Sequence, residues 1–139
     1  MTSARHTARE RALQALYQVD LANAEPGAAL QAAFAADEAK LDLPNQQFAR
    51  ALVDGVLAHL AELDALIQKH STHWRVERMP KIDRNVLRLA TYELKFDPET
   101  PGKVVLNEAV ELGKAFGSEE SSSFINAILD KVAQELNRK

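Results

Sequence analysis

The chain contains no cysteine among its 139 residues. A disulfide framework, a thiolate nucleophile and a cysteine-ligated metal are thereby excluded, and the composition fits a reducing compartment. Glycine and proline are few, five of each. The glycines at 27, 55, 102, 113 and 117 form no phosphate-cradling loop. Aromatic residues make up only 6%. No apolar run approaches the roughly 18 residues that span a bilayer. The first residues carry no apolar targeting segment, so a cytoplasmic location without a membrane partner is expected. What is present is 46% hydrophobic and 27% charged, an ordinary globular balance in a chain long enough to bury its own core.

The apolar residues recur at three and four, the period of a helix face. Ala12, Leu13, Leu16 and Tyr17 form the first stripe. Pro26 is a start signal for an alanine-rich second helix, and Pro80 for "KIDRNVLRLATYELKF". After Pro44 a long stripe runs through Phe48, Leu52, Val56, Leu60, Leu63 and Ile67, with Gly55 as its expected point of bending or breaking. "DPETPG" reads as a turn. Gly117 is expected to end the next helix in a left-handed cap, with Ser118 capping the last helix and Glu119 and Glu120 in its first turn. The pattern predicts an all-α fold of six or seven helices.

Charge is uneven. The formal net charge is −3. Residues 20–64 hold eight acids and two bases, whereas residues 69–88 hold six bases and two acids. A local basic patch is enough to engage an anionic partner. Arg5, Arg9 and Arg11 crowd the start of the first helix, where the dipole disfavours cations. At about 100° per residue Arg5 and Arg9 extend the stripe of Ala12 and Leu16. A guanidinium cannot be buried unpaired, so these arginines are expected to project beyond the core. Such a projection is either a solvated terminus or an anion site.

Three separated stretches resemble the NusB family of transcription antitermination factors: "RERALQALYQ", "HWRVERMPKIDRNVLRLATYEL" and "NEAVELGKAFGSEESSSFINAILDK". They occur in the family's order and cover essentially the whole chain. The resemblance implies one domain of about seven helices over residues 1–139, in two packed subdomains of about 1–70 and 71–139. It implies binding to the single-stranded boxA element of ribosomal RNA leader transcripts, together with NusE (ribosomal protein S-ten), and contact with the elongation complex through other Nus factors. Some members also dimerise. It implies no cofactor, no metal and no catalysis.

Residue by residue, the resemblance carries an RNA contact onto Arg5, Arg9 and Arg11, although His6 and Thr7 interrupt a run that is denser in many members. It places His70, Lys114, Phe116, Ser118, Glu120, Ser121 and Phe124 near the RNA. Phe124 would stack on a base and the Ser118 helix start would meet a phosphate; both phenylalanines also suit a plain core role. Glu120 is an oddity, since an acid near RNA repels phosphate. Tyr17, Glu77 and Asp83 are candidate contacts for NusE, the acids matching a basic ribosomal protein. Ala127 stands where many members carry glycine.

Other constellations read as structural. His70 and His73 have metal-ligand spacing but no evident third ligand. Trp74 is expected to plug the junction between subdomains. Asn107 and Glu108 are expected to make buried hydrogen bonds that fix helix packing. No nucleophile–base arrangement is visible. The alternative to an RNA-binding adaptor is a helical protein-interaction module or homodimer whose arginine end faces another protein.

Overall fold

A computed structural model describes residues 3–37 and 40–139. The described residues form seven α-helices: α1 (Ala4–Ala22), α2 (Pro26–Ala35), α3 (Leu43–Ala58), α4 (Leu60–Lys69), α5 (Lys81–Phe96), α6 (Gly102–Phe116) and α7 (Ser121–Glu135), with a 3-10 turn at Val76–Arg78. Among the described residues there is no strand, as the helical periodicity predicts.

The helix ends follow local chemistry. Ser3 caps α1 by accepting from the His6 amide at 3.1 Å, and Asn23 ends it in a left-handed conformation at φ 54°. Pro26 stands in the first turn of α2, and the Glu25 carboxylate accepts from the Gly27 and Ala28 amides at 3.0 and 2.9 Å. Those two bonds hold the Glu25 carboxyl below its usual range. Pro80 and Pro101 precede α5 and α6. The long stripe after Pro44 breaks at His59, not at Gly55, which stays inside α3.

The chain divides into two compact units, Met1–Ala58 and His59–Lys139. In the first, α1 packs on both α2 and α3. Ala8, Ala12 and Ala15 are fully buried on α1, and Leu30 of α2 and Leu52, Val53 and Val56 of α3 are buried in the same unit. In the second, α5 touches α4, α6 and α7. Its Val86, Leu87 and Leu94 meet a core that includes Leu63, Ile67, Leu112, Ile125 and Leu129. Each such side chain contributes about 1.5–3 kcal/mol on leaving water. Because α4 packs on α5 and α7, it belongs to the second unit, so the division falls at 58/59 and not near 70.

Polar groups fix the second unit as firmly. Arg88, buried on α5, grips Asp64 of α4 through two bonds of 2.8 Å. Gln68 ties down the segment after α4: its amide donates to the Trp74 carbonyl and its oxygen accepts from the Val76 amide. Arg138 donates to the carbonyls of Leu94 and Thr100.

Candidate nucleic-acid interface

The first unit carries the three arginines on one helix but holds them in two different ways. Arg11 donates to Asp37 at 2.8 Å and to Gln14 at 2.9 Å. Its charge already has a carboxylate partner. Arg5 and Arg9 lie over the ring of Phe48 on α3, with Cζ 4.1 and 5.2 Å from the centroid. Both distances are within cation–π range. Arg5 is exposed, but Arg9 is only 4% exposed. The expected free projection is therefore corrected. One arginine is open to solvent, one is buried beside a ring, and one is paired with an acid. Phe48, read as an ordinary member of the α3 stripe, is half-buried and forms their seat. Spacing along α1 could not reveal it, because the ring comes from another helix.

In the second unit the α6–α7 junction gathers several candidates. Ser118 does not cap α7. Its amide instead donates to Ser121 Oγ at 2.9 Å, and α7 begins only at Ser121. Ser121 Oγ in turn donates to Asp83 Oδ1 on α5 at 2.7 Å. Ser121 and Asp83 are buried, at 1% and 5% exposure. Both brace the turn from within, and Asp83 also lines the pocket beside it. Burial pushes the Asp83 carboxyl above its ordinary value, and the Ser121 hydroxyl only partly offsets this. Gly117 is extended, at φ −97° and ψ −163°, so it is no left-handed cap. Its missing side chain is needed for space, because an added Cβ would come within 2.6 Å of Ser121 Cβ.

Beside this brace lies a pocket of about 130 Å³ lined by Trp74, Pro80, Asp83, Ser118, Glu120 and Phe124. Trp74 is 47% exposed, which corrects its expected role as a buried plug. Phe124 and Phe116 are half-buried, while Ser118 and Glu120 are exposed. The structure thus brings Ser118, Glu120 and Phe124 together and adds an aromatic ring that was assigned elsewhere.

The remaining candidates are scattered within their units. Lys114 is exposed near Glu111 at 3.7 Å. His70 Nε2 sits 2.8 Å from Glu135 Oε1, and hydrogen bonds with Lys69 and His70 hold the Glu135 carboxyl below its ordinary value. Glu77 is exposed and pairs with Arg75 at 3.2 Å, which lowers its carboxyl too. Tyr17 is half-buried on α1. Asn107 is exposed, not buried as expected.

Comparison with known proteins places this arrangement. The chain is 56% identical over 137 residues to transcription antitermination protein NusB of Myxococcus xanthus (strain DK1622), covering 97% of this chain and 98% of the relative. It is 47% identical over 131 residues to the protein of the same name from Pelotomaculum thermopropionicum, covering 94% and 89%. Among solved structures it resembles T. maritima NusB with a TM-score of 0.87, 35% identity and coverage of 97% and 94%. It also matches a chain in a crystal structure of antitermination factors NusB and NusE in complex with dsRNA, with a TM-score of 0.86, 29% identity and coverage of 97% and 99%. The NusB family model spans residues 6–134, from just after Arg5 through Arg9, Arg11 and the braced α6–α7 turn, and the chain belongs to the NusB family.

Proposed function

We propose that this protein is an RNA-binding transcription antitermination factor that engages boxA of ribosomal RNA leader transcripts together with NusE and so supports ribosomal RNA synthesis. The observation that carries this reading is the whole-chain match to a structure in which NusB, NusE and RNA occur together. The chain's own residues fit it. Exposed Arg5 supplies charge for a backbone phosphate. Phe124 and Trp74 offer ring faces to unstacked bases, and the Ser118 segment and Lys114 provide polar and cationic edges. Glu120 lies at the same pocket, where its carboxylate accepts from a base amino group and repels misplaced phosphate. The protein acts as an adaptor in the cytoplasm and performs no covalent step. Glu77 and Tyr17 serve the NusE contact.

Fluorescence anisotropy with a short boxA-like RNA, a scrambled RNA of equal composition and a duplex of the same sequence tests this, with and without NusE. Selective binding of the boxA strand, strengthened by NusE and weakened in an Arg5→Ala/Arg9→Ala variant, is expected. Equal, negligible binding of all three RNAs, with NusE still bound, would leave a protein-interaction module in place of the RNA adaptor.

A further inference from the structure

Resting on that RNA-binding reading, we propose that Phe48 is the positioning residue that presents Arg5 of α1 to RNA phosphate. A free arginine side chain loses rotamer entropy when it is fixed. A group that is already held loses less on binding. What holds it matters. A carboxylate, as at Arg11 and Asp37, orders the guanidinium but cancels its charge and occupies its donors. An aromatic face attracts the cation through its quadrupole, carries no net charge and takes no N–H donor in a conventional hydrogen bond. Arg5, 4.1 Å above the Phe48 ring, is therefore ordered and still fully cationic, with its five N–H donors available to a phosphate. Arg9 lies over the same ring at 5.2 Å and is buried, so it backs the site. The ring thus holds the Arg5 cation at a helix start, whose dipole also favours an incoming anion.

The test uses the full chain and the boxA-like strand. Phe48→Leu keeps apolar bulk and removes the ring; Phe48→Tyr keeps the ring. Phe48→Leu is expected to weaken RNA binding about three- to tenfold. It should also flatten the plot of log affinity against log salt by up to about 0.7, one phosphate contact on a single strand. Phe48→Tyr should restore both values. In an Arg5→Ala background the Phe48→Leu effect should largely vanish. A wild-type NMR spectrum supplies evidence that needs no variant: the Arg5 δ and ε protons should be shifted upfield by the ring. An unshifted Arg5 overturns the proposal, as does a folded Phe48→Leu variant with wild-type affinity and slope while Arg5→Ala binds weakly. If Arg5→Ala itself binds RNA as wild type does, the RNA-contact reading of α1 fails instead.

Discussion

Asp83 shows how far a residue's role depends on what reaches it from another helix. Its sequence position, at the start of α5, is that of an ordinary surface acid. In the fold it is buried and accepts from Ser121, 38 residues away. Desolvation raises its pKa above the ordinary 3.8, so the folded state holds the proton more tightly than the unfolded chain. The stability Asp83 contributes is therefore full below that value and declines as pH rises through the raised native pKa. Above it, the buried charge is a constant cost. Asp83→Asn retains an oxygen to accept from Ser121 and removes the charge. At about pH 7 the variant should unfold at a higher urea midpoint than wild type, and the gap should close as pH falls toward about 4. A gap that widens on acidification would show that the charged hydrogen bond outweighs desolvation. The brace was not legible in the sequence because the partner that buried Asp83 needs, Ser121, lies 38 residues away in the chain. The ring beside Arg9 is likewise remote, 39 residues away.

At the scale of elements, the helix starts marked by proline were legible, whereas the start of α7 and the details of helix ends were not. Pro26 and Pro80 mark starts because a residue without an N–H costs nothing in the first turn. Glycine is ambiguous. Gly55 sits within α3, at a propensity cost of about 1 kcal/mol that packing of its neighbours Leu52 and Val56 covers. Gly117 follows α6 as a C-terminal glycine should, but its backbone angles suit any residue, and the constraint is steric. Gly117→Ala would put a Cβ 2.6 Å from Ser121 Cβ and 2.8 Å from the Gly113 carbonyl, closer than real side chains come. The α6–α7 turn must then shift, at a cost of about 1–3 kcal/mol. RNA affinity should fall along with stability, because Ser118, Glu120 and Phe124 ride on that turn. Adding Ser121→Gly removes the clashing carbon, so the double variant should be less destabilised than the sum of the two single changes. Denaturant unfolding of the four proteins measures this, and strict additivity would show that the two residues do not collide.

For the whole molecule, net charge is a poor guide and the distribution of charge a better one. The chain is acidic overall at −3, yet exposed cations occur where an anion is expected to bind. The three separated motifs made the family legible, since each reflects a local need: arginines on α1, the α5 core face, the close α6–α7 turn. The strength of the RNA contact was not legible, because three arginines count as three charges only if none is already neutralised. On a single strand, three phosphate contacts would give a slope of log affinity against log salt of about −2. The ion pair of Arg11 with Asp37 at 2.8 Å removes one of them, and the burial of Arg9 takes a second out of reach of the strand. Arg5→Ala should therefore flatten the slope by about 0.7, whereas Arg11→Ala should leave it nearly unchanged. Asp37→Ala should do the opposite and steepen the slope by releasing the Arg11 guanidinium toward the strand. Anisotropy titrations of these variants over a range of salt, with the boxA-like RNA and NusE present throughout, check the order. Equal flattening by Arg5→Ala and Arg11→Ala would mean that RNA breaks the Arg11–Asp37 pair on binding, so that Arg11 adds its charge to that of Arg5 after all.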